Sequence, residues 1–322
     1  MKAVRVSALS SDLSGVALDD IAEPTRSPGQ LLVRMRAASL NYPDLLMTRG
    51  EYQLKPPLPF VPGMEVAGDV IEADPTSGFV PGDRVVCGTR LNAFAEILVC
   101  DASAARPIPA RLDYAQAASI GVAYLTAYVG LVRLGALATD DWVLVHGATG
   151  GVGLAAVDLA QSLGARVIAT SRSSDKLQIV ADTYSPAATL PTSGFRDAVR
   201  ELTGGGADIV VDPVGGDVFD ESTRCTAFGG RLLVVGFASG RIATLPTNIA
   251  LIKGFSVIGV RAGEYARRFP RLGAENLDAV WAMAGEGRLR PRVHAIYSLA
   301  EWRDAFAAMA AATHVGKIVL VP

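Results

Sequence analysis

Cysteine and histidine are scarce in this chain. Its 322 residues include three of each, and Cys87, Cys100 and Cys225 stand far apart with no C-x-x-C pair. Structural zinc needs four close ligands, and catalytic zinc needs three drawn from Cys, His and carboxylate. The supply therefore points to no metal. An odd, scattered set of thiols also fits a reducing compartment better than a disulfide framework. Excess charge is missing as well. Thirty Lys and Arg against 32 Asp and Glu leave a formal charge of -2, with no basic stripe for nucleic acid and no polybasic patch for a membrane. No apolar run reaches the length of a bilayer span, and the opening residues 1–6 alternate like a strand and lack a signal-peptide core. A cytoplasmic protein with no membrane or nucleic-acid partner is expected. No Ser/His/Asp arrangement and no paired carboxylates stand out.

Apolar surface and glycine are abundant. Half of the residues are hydrophobic and 33 are glycine, enough for a sizeable core, and the length allows about two domains. The chain is organised around 142–154. Val143, Leu144 and Val145 read as a short strand buried on both faces. Gly147, Gly150, Gly151 and Gly153 then mark a turn. From Leu154 the apolar residues fall at helical spacing (Leu154, Val157, Leu159, Leu163), with Gly164 as C-cap. Ala148-x-Gly150-x-x-Gly153 is the dinucleotide fingerprint with alanine in the first place. Gly150 lets the backbone approach a pyrophosphate, and Gly153 lets the helix pack on the strand. The first N–H groups of the helix, at Gly151 and Val152, offer partial positive charge to phosphates.

Residues 1–120 read as short strands at 31–37, 66–72, 83–87 and 94–99, with 56–63 an ordered proline-rich loop, so a small barrel-like domain is expected. Asp113 is the expected N-cap of a helix, and 124–131 continues as a second one. Strands at 166–170, 187–190, 209–212, 231–236 and 255–260 then alternate with helices at 174–181, 195–202 and 218–227. With 143–145 they make six strands of a doubly wound parallel sheet. Beyond 260, amphipathic helices at 276–284 and 299–311 and a terminal strand at 317–321 are expected to return to the first domain.

Five motifs fall in order along the chain: Asn41-Tyr-Pro-Asp44 with Arg49-Gly-Glu-Tyr52, Pro62-Gly-Met-Glu-Val-Ala-Gly68, Pro81-Gly-Asp-Arg-Val85, the cofactor loop, and Gly316-Lys-Ile-Val-Leu320. On these the chain resembles the medium-chain dehydrogenase/reductase superfamily, in its zinc-free quinone oxidoreductase (zeta-crystallin-like) branch. The resemblance implies an α/β architecture with a six-stranded Rossmann sheet at 121–260. A GroES-like, mainly β catalytic domain would be split between 1–120 and 261–322. It also implies NADPH-dependent hydride transfer to a quinone or another electron-poor acceptor, with a homodimer common. An enone or 2-enoyl-thioester reductase is the alternative, and a non-catalytic nucleic-acid-binding or structural protein on the same fold is a more distant one. Where zinc-dependent relatives carry Cys and Gly-His-Glu, this chain has Asn41 and Gly63-Met64-Glu65.

Cofactor choice is read beyond the second sheet strand, where an NAD-preferring fold places an acid. Here Ser171 and Arg172 follow Thr170, with Lys176 a turn later, and hydroxyls and cations suit a 2′-phosphate. NADPH is the expected cofactor. By resemblance, Asn41 and Tyr52 border the nicotinamide, Tyr52 being the nearest donor for a developing oxyanion and Asn41 a hydrogen-bonding partner. Thr126 is placed at the carboxamide side, Gly215, Gly236 and Phe237 on the cofactor-facing edge, and Gly316 and Lys317 near the ring. His146 reads as a satisfied core histidine. Arg261, Arg267 and Arg268 would meet CoA phosphates if the substrate is an enoyl thioester, although a charged helix face is the plainer reading. The apolar edge at 255–260 is where a dimer partner is expected.

Overall fold

In the computed structural model, which describes residues 1–322, an antiparallel pair comes first, β1 (Lys2–Val6) and β2 (Val16–Asp20). Strand β3 (Gln30–Leu40) buries Val33, Met35 and Ala37 and exposes Arg34 and Arg36, the alternation of a half-buried strand. There follow α1 (Tyr42–Thr48), β4 (Glu65–Glu72), β5 (Arg84–Gly88), β6 (Ile97–Asp101), β7 (Ala105–Pro107) and α2 (Tyr114–Ala118). The middle of the chain runs α3 (Gly121–Tyr128), β8 (Trp142–Val145), α4 (Gly151–Ser162), β9 (Arg166–Ser171), α5 (Ser174–Tyr184), β10 (Ala188–Pro191), α6 (Phe195–Thr203) and β11 (Ala207–Asp212). It continues with α7 (Gly216–Ser222), β12 (Thr226–Val234), α8 (Thr247–Lys253), β13 (Ser256–Gly259), α9 (Ala262–Arg268) and α10 (Pro270–Gly285). Last come β14 (Val293–Ser298), α11 (Trp302–Ala310) and β15 (Lys317–Val321).

The first unit comprises Met1–Val122 and Pro291–Pro322. Its main sheet has the order β14-β15-β3-β4-β5-β7, with β6 also paired to β3. The core is aromatic at its centre: Phe306 meets Phe94 and Trp302 edge to face, with centroids 6.2 and 5.9 Å apart. Cys87 and Cys100 lie in the same core with their sulfurs 2.8 Å apart, and all three cysteines are free and buried. Helix α1 departs from the all-β expectation. Pro43 sits in its first turn, where a missing N–H costs nothing, and Asn41 takes the extended N-cap position.

The second unit is Ala123–Arg290. Its parallel sheet has the order β10-β9-β8-β11-β12-β13, which in strand sequence is 3-2-1-4-5-6, the Rossmann order. Two expectations are corrected here. The boundary expected at 260 lies instead at Arg290, because 261–290 is tied into this unit. Arg133 reaches α10 through Asn276 at 2.6 Å and Glu275 at 3.1 Å, while the backbone N–H and Nε of Arg290 bond Asp158 of α4 at 2.6 and 3.1 Å. Only 291–322 returns to the first unit. The helix expected at 218–227 ends at Ser222, and β12 already begins at Thr226; the strand then bulges at Phe228-Gly229-Gly230, where Gly229 takes φ +75°, before pairing resumes at Arg231. Helix α8, closed by Gly254 at φ +61°, had no counterpart in the periodicity.

Candidate active site

The glycine turn lies between β8 and α4. Gly150 is the N-cap, and the N–H groups of Gly151, Val152 and Gly153 have no backbone acceptor, so three donors converge ahead of the helix. Close packing is enforced at Gly153, where a Cβ would stand 2.2 Å from the Gly147 carbonyl oxygen. At Gly150 the nearest atom to a Cβ is 3.4 Å away, so the protein itself leaves room there. This turn is stitched to the end of β9. Ala148 N–H donates to the Thr170 carbonyl at 3.0 Å, and the Thr149 and Ser171 hydroxyls lie 3.4 Å apart.

Beyond β9, Ser173 caps α5 by accepting the Lys176 N–H. Arg172 is exposed and forms no ion pair, and Lys176 is half-buried. Burial, and then the charge of Arg172, hold the Lys176 ammonium below its ordinary range. None of the three residues at 171–173 is acidic. His146 underlies this corner. Its Nδ1 lies 2.8 Å from the Thr170 hydroxyl and its Nε2 2.8 Å from the Ser222 hydroxyl. Because Ser222 Oγ donates to the Val218 carbonyl at 2.6 Å, it accepts from Nε2–H, which leaves Nδ1 to accept from Thr170. The ring is neutral, and burial pushes its pKa down to about 3. The satisfied core histidine expected from sequence is found.

A second polar cluster belongs to the first unit, where three adjacent strands share one end. Lys317 starts β15, Asn41 follows β3, and Glu65 starts β4. Lys317 Nζ donates to Asn41 Oδ1 at 2.6 Å and to Glu65 Oε1 at 3.0 Å. Asn41 Nδ2 donates to Glu65 Oε1 at 3.0 Å and to the Ser39 carbonyl at 3.2 Å. Glu65 Oε2 accepts the Val122 N–H at 2.8 Å, in the first turn of α3. Asp44 underpins the group, taking the N–H of Asn41 on Oδ2 at 2.8 Å and that of Gly63 on Oδ1 at 3.0 Å. Burial pushes the Asp44 carboxyl up to about 7, against the two backbone N–H bonds and the charge of Lys317. Gly316 sets the start of β15: its φ is +90°, and a Cβ would lie 2.3 Å from the Arg292 carbonyl.

Of the residues expected from sequence, the first unit thus brings Asn41 together with Lys317 but joins Tyr52 to neither. Tyr52 is half-buried against the core, and its hydroxyl has no protein partner. In the second unit Gly150–Gly153 and Ser171 share one corner, and Gly215 backs onto Phe237, which is exposed. Gly236 follows β12, and Thr126 lies half-buried on α3. Arg267 and Arg268 are exposed and both paired with Glu264 at 2.9 and 2.8 Å, which fits the charged helix face. Glu65 and Asp44 had not been singled out. Their signal was a charged residue inside each of two family motifs, next to buried apolar chain. A cavity of about 810 Å³ by Trp142, Gly206 and Phe228 lies at the N-terminal ends of the parallel strands, opposite the carboxyl edge where such sheets bind ligands.

A Rossmann unit with an open phosphate loop, together with a mainly β unit that holds a buried polar cluster, defines a dinucleotide-dependent oxidoreductase. Comparison with known proteins narrows this. Residues 27–110 match the alcohol dehydrogenase GroES-like domain, and 151–278 match the family described as zinc-binding dehydrogenase. A quinone oxidoreductase-like protein 2 homolog of Nematostella vectensis is 37% identical over 312 residues, covering 95% of this chain and 85% of the relative. The quinone oxidoreductase of Thermus thermophilus, also solved with NADPH, superposes with a TM-score of 0.89 at 30% identity over the full length of both chains. A mycobacterial protein complexed with NADPH gives 0.90 at 28%, again over both full lengths. The chain belongs to the medium-chain dehydrogenase/reductase superfamily, in its quinone oxidoreductase branch.

The zinc in one family description is not matched by these residues. No three His, Cys, Asp or Glu side chains form a group able to hold a metal ion. Where Asn41 and Glu65 converge, the cation between them is an ammonium.

Proposed function

We propose that this chain is an NADPH-dependent, zinc-independent oxidoreductase that passes hydride to a quinone or a similar electron-poor carbonyl acceptor. The observation that carries the reading is the corner formed by the unpartnered N–H groups of Gly151–Gly153 and the acid-free end of β9. A pyrophosphate suits the first, and a 2′-phosphate suits Ser171, Arg172 and Lys176. NADPH, when bound, supplies hydride from C4 of its nicotinamide. The protein orients the reactants, keeps water out and places donors at the oxygen that becomes negative. Thr126, Gly215, Gly236, Phe237 and Gly316 are proposed to line the cofactor, and Tyr52 to meet the acceptor with its free hydroxyl. Zinc independence is supported by the ammonium held between Asn41 and Glu65.

An enoyl-thioester substrate is the weaker reading, because two of the three arginines that would serve a CoA ester are engaged by Glu264. We also propose a cytoplasmic homodimer formed along β13. That strand pairs only with β12 and exposes Val257, while Leu251 and Ile252 of the preceding helix are 82% and 75% exposed. A monomeric mass at micromolar concentration would remove the dimer. The catalytic reading is tested by NADPH consumption with a simple quinone, with NADH as control.

A further inference from the structure

We infer that Lys317 is the group that meets the acceptor oxygen as it becomes negative, and that Asn41, Glu65 and Asp44 position it. The inference rests on the hydride-transfer reading above and names the residue that serves it. An ammonium carries three hydrogens. Asn41 Oδ1 takes one at 2.6 Å and Glu65 Oε1 takes a second at 3.0 Å, and the third has no acceptor in the protein. The side chain is only 7% exposed, so bulk water does not freely take its place. A buried charged donor left one bond short is costly to keep. Such a donor is kept where a ligand completes the set, and most usefully where that ligand gains negative charge during reaction.

The neighbouring polar groups are already committed. Both Nδ2 hydrogens of Asn41 are used, and its Oδ1 holds the ammonium. Glu65 Oε1 accepts from Asn41 and Lys317, and its Oε2 accepts from the start of α3. Both oxygens of Asp44 accept backbone N–H groups, one of them the N–H of Asn41 itself. Within the Lys317–Asn41–Glu65 cluster, Lys317 is the one with a hydrogen to give. Asn41, expected from sequence to border the reacting groups, becomes a positioning residue that fixes the lysine's direction. Three strand termini and a helix N-terminus hold the set, so the ammonium needs no reorganisation when the oxyanion forms.

The chemistry balances without a metal. Hydride arriving at a ring carbon of the quinone pushes the carbonyl π pair onto oxygen. That oxygen takes a hydrogen bond from Lys317 and then its proton: an O–H bond forms and an N–H bond breaks. The resulting neutral amine recovers a proton from water, and the ring carbon that took the hydride then gives up one C–H proton to solvent as the second carbonyl oxygen takes one, which restores the aromatic ring. The net change is reduction of one quinone to hydroquinone, with oxidation of one NADPH and uptake of one proton.

The test uses K317M and the double variant E65Q/K317M, which removes both buried charges and so avoids leaving Glu65 uncompensated. Each is compared with wild type by NADPH affinity, by kcat with a benzoquinone, and by the titration of 4-nitrophenol bound to the NADP⁺ complex. Wild type should bind the phenolate and lower the phenol's pKa by roughly one unit or more, as a neighbouring cation does. Both variants should lose that shift and lose kcat about 100-fold or more, with NADPH affinity kept within about threefold. Undiminished kcat in the double variant, an unchanged phenol pKa, absence of 4-nitrophenol binding by wild type, or a defect confined to NADPH affinity would each overturn the assignment. Wild type that oxidises NADPH with no quinone and no enone overturns the parent reading instead, whereas wild-type turnover with an unimpaired variant removes Lys317 alone.

Discussion

Lys317 and Asn41 lie 276 residues apart in sequence, and their side chains meet at 2.6 Å where β15 runs antiparallel to β3. The family resemblance leads one to expect both near the nicotinamide. The fold adds that one holds the other, and that Glu65 completes the grip from the next strand. A buried ion pair of this kind seldom adds net stability over an apolar replacement, yet losing one partner alone costs about 3–5 kcal/mol. Its presence where β15 and β4 begin and β3 ends is therefore better explained by chemistry than by folding.

Two buried titrating groups should pull stability in opposite directions. His146 stays neutral when folded down to pH about 3, although an exposed histidine takes a proton near 6.5. Between those values the unfolded state holds the extra proton, so stability climbs with pH. Asp44 is displaced the other way, from 3.8 to about 7, so the folded state holds the extra proton and stability falls as pH rises across that window. Each contributes a slope of up to about 1.4 kcal/mol per pH unit between pH about 4 and 6.5, and the two cancel. Asp44→Asn should expose the rising slope and His146→Leu the falling one, in urea unfolding at several pH values. Slopes identical to wild type in both variants would show that neither group titrates as described.

Arg172→Ala and Lys176→Ala should each raise the KM for NADPH about tenfold or more while leaving that for NADH within about twofold, since loss of a charge-assisted bond to phosphate costs about 1.5–3 kcal/mol. Steady-state kinetics with both cofactors decides the point. Equal losses for NADH and NADPH would place these cations away from the 2′-phosphate.

The two glycines of the fingerprint should separate cleanly. Gly153→Ala forces a Cβ against the Gly147 carbonyl and should cost about 2–3 kcal/mol of stability. Gly150→Ala, with 3.4 Å to its nearest neighbour and φ −81°, should leave the melting temperature almost unchanged yet weaken NADPH binding about tenfold or more, because the methyl stands where a pyrophosphate belongs. Thermal melts paired with NADPH titrations read both effects. A stable Gly153→Ala protein, or a Gly150→Ala protein with normal affinity, would contradict these roles.

Tyr52→Phe removes a hydroxyl that has no partner in the protein, so the melting temperature should stay within about 1 °C. If the hydroxyl meets the acceptor, kcat/KM should fall about tenfold, the worth of one hydrogen bond. Unchanged turnover removes Tyr52 from the reaction.

Much of this architecture was legible in the chain. Val143–Val145 and the glycines after them announced β8, its turn and α4, and the alternation at 166–260 gave the other five parallel strands, the central ones standing out as apolar runs because they are buried. Three features stayed hidden. Helix α1 is too short and proline-marked for periodicity. The segment 261–290 looks like any amphipathic helix until Arg133 and Asp158 are seen to hold it. At 218–227, helix gives way to strand within four residues and without a proline. In the candidate site, the glycine corner could be read from local sequence because its parts lie within thirty residues. The Lys317–Asn41–Glu65 cluster could not, because it exists only through register between strands distant in the chain.

The central claim is reached most directly by following NADPH oxidation by the purified, metal-free protein with a simple benzoquinone, beside NADH and beside a short-chain enoyl-CoA. The account predicts quinone-dependent oxidation that favours NADPH and is unaffected by chelator. Turnover with enoyl-CoA alone, or activity that appears only when zinc is added, would contradict it.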